Sequence, residues 1–117
     1  MSDSIAKTST ITVIVGLDEK NVPIKMEWKA DEGAPIPQVC KAMLLSLFDE
    51  ESKDTLRIDL WTKEMQVIEM DRFFFQTLRG MADTYFKATQ NAQLATDFQR
   101  FVQYFGEKTE ILIPPKD

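Results

Sequence analysis

Between Pro37 and Phe48 the chain reads PQVCKAMLLSLF. Within it Cys40, Met43, Leu44, Leu47 and Phe48 fall at i, i+3, i+4, i+7 and i+8, the spacing of one stripe along an α-helix. A proline is tolerated in the first turn of a helix, where its missing N–H has no intrahelical partner anyway. The spacing therefore predicts a helix over about 37–49. Upstream, Asp31-Glu-Gly-Ala-Pro-Ile-Pro37 reads as a connecting loop, because each proline lacks a donor and biases the residue before it away from the helical region. Downstream, Asp49-Glu-Glu-Ser-Lys-Asp54 reads as a solvated, charged connection.

Outward from that segment the periodicity changes. Thr10, Thr12 and Ile14 alternate with Ile11, Val13 and Val15, a β-branched series of period two that predicts a strand over about 8–16. After the turn-forming residues 16–21, Ile24, Met26, Trp28 and Ala30 alternate with Lys25, Glu27 and Lys29, so the two segments should form an antiparallel hairpin. Leu56, Ile58 and Leu60 alternate with Arg57, Asp59 and Trp61 in a third strand. Val67, Met70, Phe74, Leu78, Met81 and Tyr85 then recur every three or four residues, predicting a long helix that ends near Thr89. Asn91 suits the N-cap of a further helix, with its apolar stripe on Leu94, Phe98, Phe101, Val102 and Phe105 and its end at Gly106. Thr109 to Ile113 suit a short last strand, stopped by Pro114-Pro115.

The resulting class is α+β, in the order β-β-α-β-α-α. A small antiparallel sheet of three strands, or four with the terminal one, carries two or three helices on one face. A flexible N-terminus (1–7), a single domain (8–113) and a short tail (114–117) complete the expected organisation.

A hydrophobic fraction of 44% and a charged fraction of 28% describe an ordinary globular chain, so neither disorder nor a fibrous repeat is expected. The net charge of −5, with cations that do not cluster along the sequence, disfavours nucleic acid as a partner. Cys40, the lone cysteine, has no partner for an internal disulfide, and the start of the chain does not resemble a signal peptide; both favour the cytoplasm. No apolar run approaches the roughly 18 residues that span a bilayer, so direct membrane insertion is not expected.

Chemistry is hard to build from this composition. Histidine is absent, which removes the usual general base near neutral pH and the commonest metal ligand. No zinc pattern, phosphate loop, dinucleotide fingerprint or calcium loop occurs, and no cofactor is implied. A carboxylate pair from Asp59, Glu64 and Asp83 is conceivable for glycoside chemistry. Asp59, however, alternates with Ile58 and Leu60 and should face outward, pairing with Lys25 or Lys29 if its strand lies beside the second one. Cys40 sits on the apolar stripe of the expected helix and reads as a small hydrophobe with a raised pKa.

The aromatic residues are more informative. Period two places Trp61 with Arg57 and Asp59 on the polar side of the sheet, where an exposed indole among charges has the character of an interface anchor. Phe73 and Phe75 lie about 100° to either side of Phe74. If Phe74 points at the sheet, one flank meets the next helix and the other is a surface patch. The expected protein-binding residues are thus Trp61, Arg57, Asp59, Lys25, Glu27 and Lys29, with the Phe75 flank as a second contact.

The run TLRIDLWTKEMQVIEMDRFFFQTLRGMADTYFKAT at 55–89 resembles the gliding-motility-associated GldC family. VGLDEKNVP at 15–23, Trp28 to Ala30 and KAMLLSLFD at 41–49 are similar to the corresponding pieces of that family. The resemblance implies a small soluble accessory protein of a bacterial motility or envelope apparatus, and carries over no catalytic residue. A noncatalytic interaction module docking to another protein of that machinery is the leading expectation. A small-ligand sensor or enzyme, with a pocket between hairpin and helices and Arg57, Asp59 and Glu64 as its polar groups, is the alternative. An unpaired strand at the edge of so small a sheet also leaves open a homodimer formed by extending the sheet.

Overall fold

The structure, a computed structural model, describes residues 3–113. It contains strands β1 (Ile11–Leu17), β2 (Pro23–Ala30), β3 (Ala34–Cys40), β4 (Ala42–Phe48) and β5 (Thr55–Trp61), followed by helices α1 (Val67–Thr89) and α2 (Ala92–Lys108). The class is α+β as expected, but the observed order has five strands before two helices. The chain divides into two compact units, Met1–Met65 with the strands and Gln66–Asp117 with the helices.

In the strand unit β1, β2 and β3 form an antiparallel sheet in that order, and β4 pairs with β5 in a separate antiparallel ribbon. Met26 is the most enclosed side chain, at 0% exposure, because its register sets it between Val15 of β1 and Cys40 of β3. The β1–β2 turn is organised by Asp18. One carboxylate oxygen accepts the N–H groups of Lys20 at 2.8 Å and Val22 at 3.0 Å, and the other pairs with Lys63. Asn21 takes the left-handed conformation that closes this turn, one that asparagine adopts more readily than most residues.

The helix expected over 37–49 is absent, and the loop expected over 31–37 is half strand. Residues 34–40 and 42–48 are extended, interrupted by a bend at Lys41. Two physical features reconcile this with the sequence. Pro35 and Pro37 cannot donate to a ladder, but β3 is bonded on one side only, and its register with β2 slips between Trp28 and Ala30, where the prolines fall. Beyond the bend, Met43, Leu45 and Leu47 oppose Leu60, Ile58 and Leu56, an apolar ladder along one face of the ribbon. The same residues that make a helical stripe thus contain a period-two series, and a short apolar run does not discriminate between the two. Thr62 extends the ladder by donating its N–H to the Lys41 carbonyl at 2.8 Å.

The helix unit is an antiparallel hairpin. Gln66 caps α1 in a reciprocal box with Glu69, whose carboxylate accepts the Gln66 N–H at 3.0 Å. Left-handed Gln90 ends α1, and the Asn91 side chain accepts the Leu94 N–H at 3.1 Å to start α2, so two residues reverse the chain. Phe75 and Ala82 of α1 and Ala95, Val102 and Gly106 of α2 are the buried positions of the hairpin. Gly106 does not end its helix, which runs on to Lys108; it lies inside the last turn because a side chain there has no room. A Cβ on Gly106 would stand 2.6 Å from the Phe75 ring and 2.7 Å from a Leu112 methyl.

The expected strand over 109–113 is also absent. Those residues turn back, with Glu110 left-handed and the Leu112 N–H bonded to the Gly106 carbonyl at 2.9 Å, which sets Leu112 over the helix end. The proline pair beyond lies outside the described residues.

Two outcomes follow from these contacts. Gly106→Val should lower the melting temperature by overpacking, with a loss of about 1–3 kcal/mol. Gly106→Ala should cost less, since alanine regains about 1 kcal/mol of helix propensity. Asp18 gives a pH signature. Hydrogen bonding to Lys63, then to the Val22 and Lys20 amides, lowers its pKa from 3.8 to about 2. The stabilisation is complete above the unfolded value and is lost as the pH falls through the window between the two values. Thermal melts should therefore show the native chain losing more stability than Asp18→Asn on acidification through that window.

Candidate functional site

The residues expected to face solvent on the third sequence-predicted strand do so from β5. Leu56, Ile58 and Leu60 lie on the ladder with β4, while Arg57, Asp59 and Trp61 point the other way, opposite Ser46, Leu44 and Ala42. Arg57 and Asp59 form an ion pair at 2.9 Å. Asp59 therefore does not pair with Lys25 or Lys29 as expected, because β5 is bonded to β4 and not to β2. Lys25 pairs instead with Glu27 at 3.2 Å along its own strand. Glu27 is opposite Ile14 of β1 and Val39 of β3, and Lys29 is opposite Thr12. The six charged and aromatic residues thus occupy two separate places on the strand unit, a Lys25–Glu27–Lys29 row on β2 and an Arg57–Asp59–Trp61 row on β5.

Trp61 is 55% exposed at the end of β5. It borders a shallow recess of about 240 Å³ with Val22, Pro23, Asp59 and Leu60. The Lys63–Asp18 ion pair ties the segment after β5 to the β1–β2 turn, the two stretches of chain that adjoin the recess. An indole half out of water, an apolar floor of Val22, Pro23 and Leu60, and a charge pair at one rim make a surface suited to a protein side chain or loop.

Phe75 is displaced from its expected role. It is only 4% exposed, facing Gly106 across the hairpin, with the Arg79 guanidinium 5.2 Å over its ring. The 100° geometry was sound but its anchor was not: Phe75 is the inward member of the triplet, and Phe74, at 38% exposure, is the outward one.

The remaining candidates stay apart. Glu64 lies exposed in the segment after β5, and Asp83 pairs with Lys87 at 3.0 Å on α1. Among the described residues no three His, Cys, Asp or Glu side chains gather as a metal-binding set. In the acidic Asp49–Asp54 connection, Asp49 is occupied by the turn itself. The Ser52 N–H at 2.7 Å, with the Ser52 hydroxyl and the Glu51 N–H, holds its carboxyl below the usual value. A polar groove along the hairpin, lined by Gln76, Arg79, Asp83, Gln99 and Gln103, was not foreseen; its signal was the polar spacing 76, 79, 83 on α1 and 99, 103 on α2.

The family described as gliding motility-associated protein GldC-like matches residues 23–111, from the first residue of β2 to beyond the end of α2. The chain belongs to the GldC-like family. No curated protein and no solved structure matches it. The matched range contains the Trp61 recess apart from Val22, and both helices. Among the described residues no helix of this GldC-like chain is long and apolar enough to cross a membrane.

Cys40 is half-buried beside Met26, and burial pushes its thiol pKa up. Its alkylation by iodoacetamide at pH 8 should be slower than that of an unstructured peptide thiol, and should accelerate to the peptide rate when the chain is unfolded in urea.

Proposed function

We propose that this GldC-like chain is a noncatalytic accessory protein that docks to another protein of a motility or envelope apparatus. The observation that supports the reading most directly is Trp61, half exposed beside an apolar recess and flanked by the Arg57–Asp59 pair. An aromatic residue in that setting loses little rotamer freedom on binding and gains a large contact area, the usual character of an interface hot spot. The family match supplies the cellular context, and a cytoplasmic location fits the unpaired Cys40.

The test is paired. The full chain, tagged and used as bait in extract of its native organism, should retain one partner, and Trp61→Ala should weaken capture of that same protein. For a hot spot the loss is about 2 kcal/mol, on the order of 30-fold in affinity. The melting temperature should change little, because half of the ring already lies in water. Undiminished capture, or a collapse in stability, would assign Trp61 to architecture instead.

A further inference from the structure

On α1 two apolar stripes run side by side. One carries Phe75 and Ala82 and is spent on α2. The other repeats by sevens without a charge, Val67, Phe74, Met81 and Ala88, with Met70, Thr77 and Thr84 interleaved three residues on. This second pattern is that of a coiled-coil seam, and α2 does not cover it. Val67 is 80%, Phe74 38% and Met81 50% exposed, and on α2 Leu94 and Phe101 are 50% and 51% exposed. Thr77, Met81, Tyr85 and Phe98 line an apolar groove between the helices, which joins the two sets into one face of the hairpin.

The size of this face and the order of its residues both indicate what covers it. Counting about 100 Å² for each of its five exposed large side chains, it offers on the order of 500 Å². That is at the upper end of the roughly 300–600 Å² of the largest patch on a typical monomer, and more than half of the roughly 800 Å² each partner brings to a stable interface. The seam is also complementary to itself when reversed. Laid antiparallel on another α1 with Thr77 on its own copy, Met70 meets Thr84, Phe74 falls between Gly80 and Met81, and Val67 falls between Lys87 and Ala88. Large residues oppose small or flexible ones along its length, as an isologous contact requires.

Gly80 is the independent observation. It interrupts the middle of a 23-residue helix at a cost of about 1 kcal/mol relative to alanine, and nothing lies within 4 Å of where its Cβ would be. Among the described residues no contact asks for a glycine there. It stands beside the seam, three residues from Thr77, where two helices crossing at the midpoint would come closest.

We infer that α1 pairs antiparallel with α1 of a second copy of this chain, crossing near Thr77 and Gly80, so that two hairpins form a four-helix bundle. The surface is one that the Trp61 reading does not use, and either conclusion stands without the other.

Sedimentation of the full chain at about 50 µM is the first measurement. The inference expects twice the 13.5 kDa chain mass, and expects Met81→Glu to halve it with helical circular dichroism retained. In a Cys40→Ser background, Thr77→Cys should crosslink to a covalent dimer under mild oxidation, while Val67→Cys, remote from its own copy, should not. A monomer at that concentration would overturn the inference. So would a dimer indifferent to Met81→Glu, which would point to a sheet edge. A monomer destabilised by Met81→Glu would show the face to be covered by the chain itself.

Discussion

The close approach of Phe75 to Gly106 sets the terms for the helix unit. Where the ring meets the helix backbone the two helices come close, and their other buried positions, Ala82, Ala95 and Val102, are small. Small residues bring two helices together efficiently, but they bury little area per residue, so the seam consumes only a narrow stripe of each helix. Large side chains such as Met81, Leu94 and Phe101 are therefore left on the next face around. The distribution of apolar surface on the hairpin is a consequence of how tightly its inner seam closes.

A similar economy governs the strands. Met26 is enclosed because it has paired neighbours on both sides, Val15 and Cys40, whereas β1, β4 and β5 each have a neighbour on one side only. Two-stranded ribbons are marginal by themselves, and this one is fixed by polar ties at its end: Thr62 to the Lys41 carbonyl, and Lys63 to Asp18 in the distant turn. Those ties also place Trp61 beside Pro23. The position of the candidate docking residue thus depends on an aspartate whose carboxylate already serves two backbone amides.

How much of this could be read beforehand follows from how many patterns each segment satisfies. Residues 11–15 are a run of β-branched side chains, and 24–30 and 56–60 alternate apolar with charged or polar ones, so their strands and the outward side of Trp61 are legible. Residues 37–48 fit both periods at once; the deciding facts are a one-sided edge and a bulge that accommodate two prolines, and both are properties of the partner strand. The 67–89 periodicity established α1, yet its apolar arc is wide enough to hold two stripes, and nothing local indicates which one meets α2. That is why the sequence leaves open which flank of Phe74 meets α2, and the Phe75 flank, expected as a second contact, is the inward one. Gly106 resembled a helix stop because glycine serves both that role and close packing, and only the neighbour, Phe75, distinguishes them.

The two surfaces differ in physical kind, and that difference bears on how they would work together. The Trp61 recess is small, with a charged rim, the composition of contacts that form and release. The α1 seam is long, uncharged and periodic, the composition of contacts that persist. Two chains joined through the second would carry two copies of the first. If the partner's binding sites are themselves repeated, as in an assembled apparatus, the second contact becomes intramolecular, and weak recesses bind with an avidity that a single one does not reach. A small chain with a modest docking residue gains by being paired, and a helix whose outer stripe is free of charge provides a means to pair.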